Sequence, residues 1–380
     1  MKMIFASDSF KGSLSSQQIL TLLKQEAEQV FPGVKTSGVL MADGGEGTVD
    51  ALVSQLGGTY ETIVVHDPCF RLDEAGYGIL PEGSAVIEMA AASGLPMVPA
   101  DKRNPMETTS YGTGELIVHA LSQGIRKIAI AIGGSATNDG GMGMLAALGV
   151  RFLDESGSLL RGCGGDLEKV ASIDLSGLHP AVRETEFTVM CDVTNPLLGP
   201  EGATFTFSAQ KGADAVMQQC LEAGMAHYAE LAEKATGVPA REVPGAGAAG
   251  GLGFALMSFL GANLQSGIET VLDLVHFDEL LKDADLVVTG EGRMDWQSSY
   301  GKVPSGVGKR CQKAGVPAVA IVGGLLPGYE SIYEAGIQTV VTTVSGIMPL
   351  EQAMKDSESL YLDAAVRLFR AIRCGKQMNL

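Results

Sequence analysis

Short apolar runs rich in β-branched residues alternate along the chain with longer stretches of helical spacing, and glycine stands at most of the joints. The clearest strand-like runs are 3–6, 38–41, 85–89, 128–132, 187–190, 286–289, 318–322 and 339–343. Helical patterns are predicted over 15–30, 47–56, 114–123, 140–148, 213–235, 305–314, 328–335 and 350–371. Ser15 is the expected N-cap of the first helix, and Ala353, Leu360, Ala364, Ala365 and Leu368 mark an apolar face on the last. Strand, glycine loop and helix in repeating order predict an α/β protein with its functional loops at strand ends.

The rhythm is regular at both chain ends and looser in the middle. Between 60 and 100 the short strands and the turn signals Asp67-Pro68 and Pro81-Glu82-Gly83 predict antiparallel pairing. At 380 residues the chain is long for one core. We therefore expect two domains: a discontinuous three-layer α/β domain with a parallel sheet, from 1–60 and 280–380, and an inserted mixed α/β domain over 61–279. The first strand should join those near 287, 320 and 341, and the ligand should lie in the cleft between the domains.

Charge narrows the function. Lys and Arg number 27 against 44 Asp and Glu, for a formal net charge of −17. That field disfavours nucleic acid and anionic membranes as partners, and a site for an anion needs locally gathered Lys and Arg. Six cysteines show neither close pairing nor metal-ligand spacing, as expected of a reduced cytoplasmic chain. Asp8 and Lys11 interrupt any signal-peptide core. The uncharged stretch 243–268 is long enough to span a bilayer, but glycines, Ser258, Asn263, Gln265 and Ser266 dilute it, and no membrane span is expected.

Several segments set charged groups beside glycine, where backbone amides can approach a ligand closely. Asp8-Ser9-Phe10-Lys11-Gly12-Ser13 follows a strand and precedes a helix. The amides of Gly12 and Ser13 could bind an oxyanion beside Lys11, with Asp8 reaching metal or an attacking hydroxyl. Asp43 and Glu46 flank two glycines, so both carboxylates could face one pocket, or Glu46 could sit in a helix's first turn. Ile132-Gly133-Gly134-Ser135-Ala136-Thr137-Asn138-Asp139-Gly140-Gly141 has the shape of a phosphate cradle, with hydroxyls from Ser135 and Thr137 and Asp139 for a divalent metal. Asn138 or Asp139 could instead be a plain N-cap. Gly290 to Lys302 is the densest cluster: Glu291, Arg293, Asp295 and Lys302 could hold metal, carboxylate and phosphate, unless Arg293 and Asp295 merely pair with each other. Asp192 after the strand at 187–190 and Lys211 are further candidates, for metal and phosphate.

The glycine string around Gly247 matches a dinucleotide fingerprint in letters only, since the preceding residues are no buried strand. It is read as close packing or as a loop lining a nucleotide pocket. No Walker A motif is present, and the five histidines show no ligand spacing.

In their order along the chain, DSFKGSL from Asp8, ADGGEGT from Ala42, IGGSATNDGG from Ile132, PGAGAAGGLG from Pro244 and GEGRMDWQSSYGK from Gly290 resemble the bacterial class I glycerate kinases over essentially the whole chain. The resemblance implies ATP-dependent phosphorylation of D-glycerate in the cytoplasm, at the 2-hydroxyl, by a discontinuous α/β domain with an inserted domain of different fold. Combined with the residues above, the expected site has Asp8, Lys11, Asp43 and Arg293 in catalysis and Ser9, Glu46, Arg293, Asp295 and Lys302 on the substrate. Gly133, Gly134, Ser135, Thr137, Asn138, Lys211 and Gly247 meet ATP, and Asp139, Asp192 and Glu291 hold Mg²⁺. The acceptor could equally be the 3-hydroxyl or another hydroxy acid. A phosphatase or a non-catalytic binder of a small anion would use many of the same groups, and the oligomeric state is left open.

Overall fold

A computed structural model describes residues 1–41, 45, 47–299 and 301–378. In chain order its strands are β1 (Lys2–Ser7), β2 (Lys35–Gly38), β3 (Thr59–His66), β4 (Leu72–Ile79), β5 (Ala85–Glu88), β6 (Lys127–Ala131), β7 (Arg151–Leu153), β8 (Ser172–Asp174), β9 (Glu186–Met190), β10 (Asn263–Gln265), β11 (Leu286–Met294), β12 (Ala318–Leu325) and β13 (Ile337–Thr342). The chain divides into two compact units, Met1–Asp43 with Ile268–Leu380, and Gly44–Gly267.

The first unit holds a five-stranded sheet of order β13-β12-β11-β1-β2, parallel throughout. The strands at its centre are almost continuously buried, as a sheet covered on both faces requires. Helix Ser16–Val30 starts in a full capping box: Ser15 accepts from the Gln18 amide, and the Gln18 side chain accepts from the Ser15 amide. Helix Ser357–Gln377 buries Tyr361, Ala364, Ala365, Leu368 and Phe369 in one core cluster with Ile19, Leu20, Leu23 and Ala27. The spacing of these residues is that of a single helix face. Each large side chain so buried contributes roughly 1.5–3 kcal/mol.

The second unit carries a six-stranded sheet of order β10-β9-β6-β5-β4-β3. β3, β4 and β5 pair antiparallel, and β5, β6, β9 and β10 run parallel. The antiparallel region predicted between 60 and 100 is this β3–β4–β5 meander. The uncharged stretch forms helix Ala248–Leu260, broken by left-handed backbone at Ala249, Gly250 and Gly251 and buried on nearly every side, which explains why it is apolar all round. Among the described residues no helix is long and apolar enough to cross a membrane.

The units part at 43/44 and 267/268, not at 60/61 and 279/280 as the sequence suggested. Helix Thr48–Leu56 belongs to the second unit because it lies against β4. A Cβ on Gly78 would come within 2.5 Å of Val53, and the Val49 amide donates to Glu88 on β5 at 2.8 Å. Helix Gly267–Leu274 falls largely to the first unit. Gly306 lets Ile268 approach helix Val303–Ala314, and Arg310 on that helix bonds Glu269, Asp273 and Asp278.

Smaller departures follow from local chemistry. The segment 328–335 makes a short 3₁₀ turn, Tyr329–Tyr333, and 350–371 splits into Leu350–Lys355 and Ser357–Gln377. β2 lies earlier than its apolar run.

Candidate active site

In the first unit the two segments farthest apart in sequence become neighbours. β1 pairs with β11 so that Ser7 faces Gly290, and the Asp8 amide donates to the Gly290 carbonyl at 3.0 Å. A Cβ on Gly290 would lie 1.9 Å from the Ile321 carbonyl oxygen, so only glycine lets β12 close on the other side. Gly292 lies against the turn after β1, where an added Cβ would come 3.3 Å from the Phe10 Cα. Strand order reverses here: β1 leads outward to β2, while β11 leads the other way to β12 and β13. In open α/β sheets the crevice beyond the carboxyl ends of strands at such a reversal is where ligands bind.

β11 runs on through Met294, so Glu291 and Arg293 stand on the strand itself rather than in a loop. Glu291 is 7 % exposed, and its Oε1 has no hydrogen-bond partner. Burial pushes this carboxyl above its ordinary range. The Ser298 hydroxyl and Lys302 pull it back, and the negative charges of Asp8 and Asp295 push it up again. Lys302 Nζ stands 3.7 Å from Glu291 Oε2. The Thr289 hydroxyl is also buried without a partner, and the Ser7 hydroxyl is buried beside that of Tyr361. Unpaired polar atoms are costly in a core, and those near the carboxyl ends of two central strands mark a place shaped for something other than packing.

Around this edge the side chains divide in role. Asp8 accepts from the Ser9 amide, Lys11 is exposed, and Gly12 takes a left-handed φ of +80° in the turn. The Ser13 amide returns to the Phe10 carbonyl, which removes it from the expected oxyanion cradle. Arg293, 70 % exposed, approaches Asp295 only to 3.9 Å, too loosely to be a structural pair. Asp295, expected on the substrate, instead accepts from the Gln297 amide and is buried at the start of a 3₁₀ turn. Asp43 and Glu46 lie outside the described residues.

In the second unit the glycine-rich loop follows β6, as the sequence suggested, but its end is occupied by the chain's own carboxylate. Asp139 is fully buried and accepts from the Ser110 amide and hydroxyl, both at 2.7 Å, and from the amides of Gly141 and Gly143. This corrects its reading as a metal ligand. Its carboxyl fills the place that the start of helix Met142–Ala147 would otherwise offer to phosphate. Gly247 is likewise a packing residue, since a Cβ there would meet the Pro196 carbonyl oxygen at 2.1 Å.

Thr137 and Asn138 are fully buried, each with an unpartnered oxygen. Gly133 and Gly134 are the exposed part of the loop. Lys211 is buried, donating to Ser135 Oγ at 2.8 Å and to the Thr137 carbonyl at 2.6 Å. Burial lowers this ammonium to about 7. It braces the loop from within and is no exposed point charge. Asp192 accepts from the Gly267 amide at 2.9 Å.

Sequence reasoning missed Thr108-Thr109-Ser110, three buried hydroxyls, of which Thr108 bonds the glycine loop, Ser110 bonds Asp139 and Thr109 bonds Gly162. A run of hydroxyls ahead of a helix was the available signal.

The chain matches the profile of the glycerate kinase family over residues 3–373. It is 46 % identical to the glycerate kinase of Bacillus subtilis (strain 168), with 100 % of both chains covered. Identity is 45 % to the glycerate 2-kinase of Escherichia coli (strain K12), over 93 % of each chain. A crystal structure from Salmonella typhimurium LT2, provisionally named glycerate kinase 2, superposes with a TM-score of 0.89 at 42 % identity, covering 99 % of both chains. An acidic and basic cluster at the reversal point of a parallel sheet, in a chain alike over its full length to these kinases, places this protein in the glycerate kinase family.

Proposed function

We propose that this kinase transfers the γ-phosphoryl group of ATP to the 2-hydroxyl of D-glycerate. The observation that supports the reading is that β1 and β11 run side by side to Asp8 and Glu291, with Lys302 3.7 Å from Glu291 and a buried carboxylate oxygen of Glu291 left unpaired. Phosphoryl transfer needs an oriented hydroxyl, positive charge on the migrating group and carboxylates for a divalent ion. Asp8 orients the attacking hydroxyl. Lys11 stabilises charge on the phosphoryl group in flight, and Arg293 meets the carboxylate of the acceptor, its loose approach to Asp295 leaving the guanidinium available.

Among the described residues no three acidic, His or Cys side chains converge as a metal cage. That suits Mg²⁺, which is held beside nucleotides by one or two carboxylates while water and phosphate oxygens complete its shell. Glu291, with its unpaired Oε1, and Asp8, whose charge reaches it, are the residues that would hold the ion. When bound, the ion supplies charge neutralisation at the phosphates. Gly133 and Gly134, exposed on the loop after β6, are the groups of the second unit we assign to ATP. The six cysteines are free thiols, in keeping with a cytoplasmic enzyme.

Phosphorus NMR of the product from D-glycerate and ATP tests the reading. We expect 2-phosphoglycerate, and a 3-phospho product or none would refute it. Lys11→Ala should lower kcat by about 10²–10³ with little change in either KM, the signature of a group acting in the transition state.

A further inference from the structure

The second unit holds a cavity of about 140 Å³ that the reading above leaves unused. Its walls come from three turns, each folded around one side chain. Asp67 accepts from the amides of Cys69 and Arg71, Asn104 from the amide of Met106, and Asp166 from the amides of Arg161 and Gly162. The turns are laced together: the Thr109 amide donates to Pro68, the Thr109 hydroxyl to Gly162, and the Gly165 amide to Met106. The cavity is thus built before any ligand arrives, the condition under which little ordering cost is left for binding.

Its lining is partly apolar and carries two cations and one acid. Lys102 and Arg161 enter from two of the turns, with Asn104, Glu107 and Thr108 beside them. Arg161 rests its guanidinium 4.7 Å from the centre of the Phe70 ring, and Phe70 is held at a left-handed φ of +63°. Among the described residues neither Arg161 nor Lys102 has an ion pair, although the chain carries a large excess of acid. Glu107 is the acid of the lining itself, while Asp67 and Asp166, which fold the walls, are committed to backbone amides and to Arg71 and Lys169. Thr108 donates its proton to Ala136 in the glycine loop and keeps an acceptor oxygen for a ligand hydroxyl.

The volume decides the size of the guest. At about 30 Å³ per water the space equals several waters, far short of the roughly 300 Å³ at which pockets for larger ligands begin. The enclosed part suits a small guest better than a whole nucleotide. We propose that this cavity is a binding site for a small hydroxylated carboxylate or its phosphate ester, with Arg161 and Lys102 on the anionic group and Asn104, Glu107 and Thr108 on the hydroxyls. The choice of this ligand class rests on the glycerate reading, in which both acceptor and product belong to it.

Cys69 and Cys163 also line the cavity and supply a readout independent of turnover. The full-length enzyme, without nucleotide, would be treated with a maleimide and Cys69 modification followed by peptide mass spectrometry, with exposed Cys220 as the internal reference. D-glycerate should slow labelling of Cys69 and leave Cys220 unchanged. Protection by phosphoglycerate alone would support the site and name the product as its source. In Arg161→Met the concentration giving half protection should rise tenfold or more, the expected scale for one lost charge-assisted bond, and Arg161→Lys should recover part of it. Protection by ATP alone, or by none of these ligands, overturns the proposal, and so does protection that Arg161→Met and Lys102→Met both leave unaltered. Because the assay consumes no ATP, protection without phosphorylation would sink the glycerate kinase reading and spare this one, and phosphorylation without protection would do the reverse.

Discussion

Lys211 shows what burial does to a single residue. Its ammonium, 2 % exposed, gives up its proton near 7, whereas a lysine in the unfolded chain keeps it to about 10.4. Between those values the unfolded chain binds more protons, so stability should rise with pH across this window and be lowest below it. Compared with Lys211→Met, the wild-type protein should gain up to about 1.4 kcal/mol per pH unit from pH 7 to 9, read from urea midpoints. Parallel curves for the two proteins would show that the folded lysine keeps its charge. Glu291→Gln should retain the shape of its neighbourhood and lose about a hundredfold in kcat, since the amide can neither hold a divalent ion nor balance Lys302. Full activity in that variant would remove Glu291 from the site. Asp139 and Glu291 look alike in sequence, each an acid among glycines, and differ only in which donors surround them. Nothing local in the sequence tells a carboxylate that serves its own backbone from one kept for a ligand.

Elements were more legible than residues, because their signals are repeated along the chain. The capping box at Ser15 and the apolar face of Ser357–Gln377 come from spacing alone, and the strand runs fall within or near β1, β5, β6, β9, β11, β12 and β13. β11 is the instructive exception. Its apolar run stops at Thr289, but the strand continues because Arg293 and Met294 pair with Gly324 and Leu325 on β12, a partnership no periodicity announces. The unit boundaries were illegible for a similar reason, as Thr48–Leu56 is assigned by the hollow that Gly78 leaves for Val53. Close approach at Gly290 gives a test at this scale. Gly290→Ala would drive a methyl group into the Ile321 carbonyl and should destabilise the first unit by about 3 kcal/mol, at the upper end for overpacking. A melting temperature within error of wild type would show that β12 can yield.

At the scale of the molecule, the two units have separate apolar clusters, one around Phe5, Phe10, Tyr361 and Phe369, the other around Tyr77, Phe152, Tyr228 and Phe254. Two cores predict unfolding that is not a single two-state event. Calorimetry should give a calorimetric enthalpy exceeding the van't Hoff value, and Gly290→Ala should move one of the component transitions more than the other. A single transition with equal enthalpies would contradict this.

The placement of β1 has a consequence for synthesis. Its hydrogen-bonding neighbours are β2 on one side and β11 on the other, and β11 begins at residue 286. A nascent chain emerging at about 5–20 residues per second therefore exposes the apolar run from Met3 to Ala6 for on the order of fifteen seconds or more before its second partner leaves the ribosome. During that interval the opening segment is a natural client for a chaperone, and the pairing that sets Ser7 beside Gly290 cannot exist until β11 has been made.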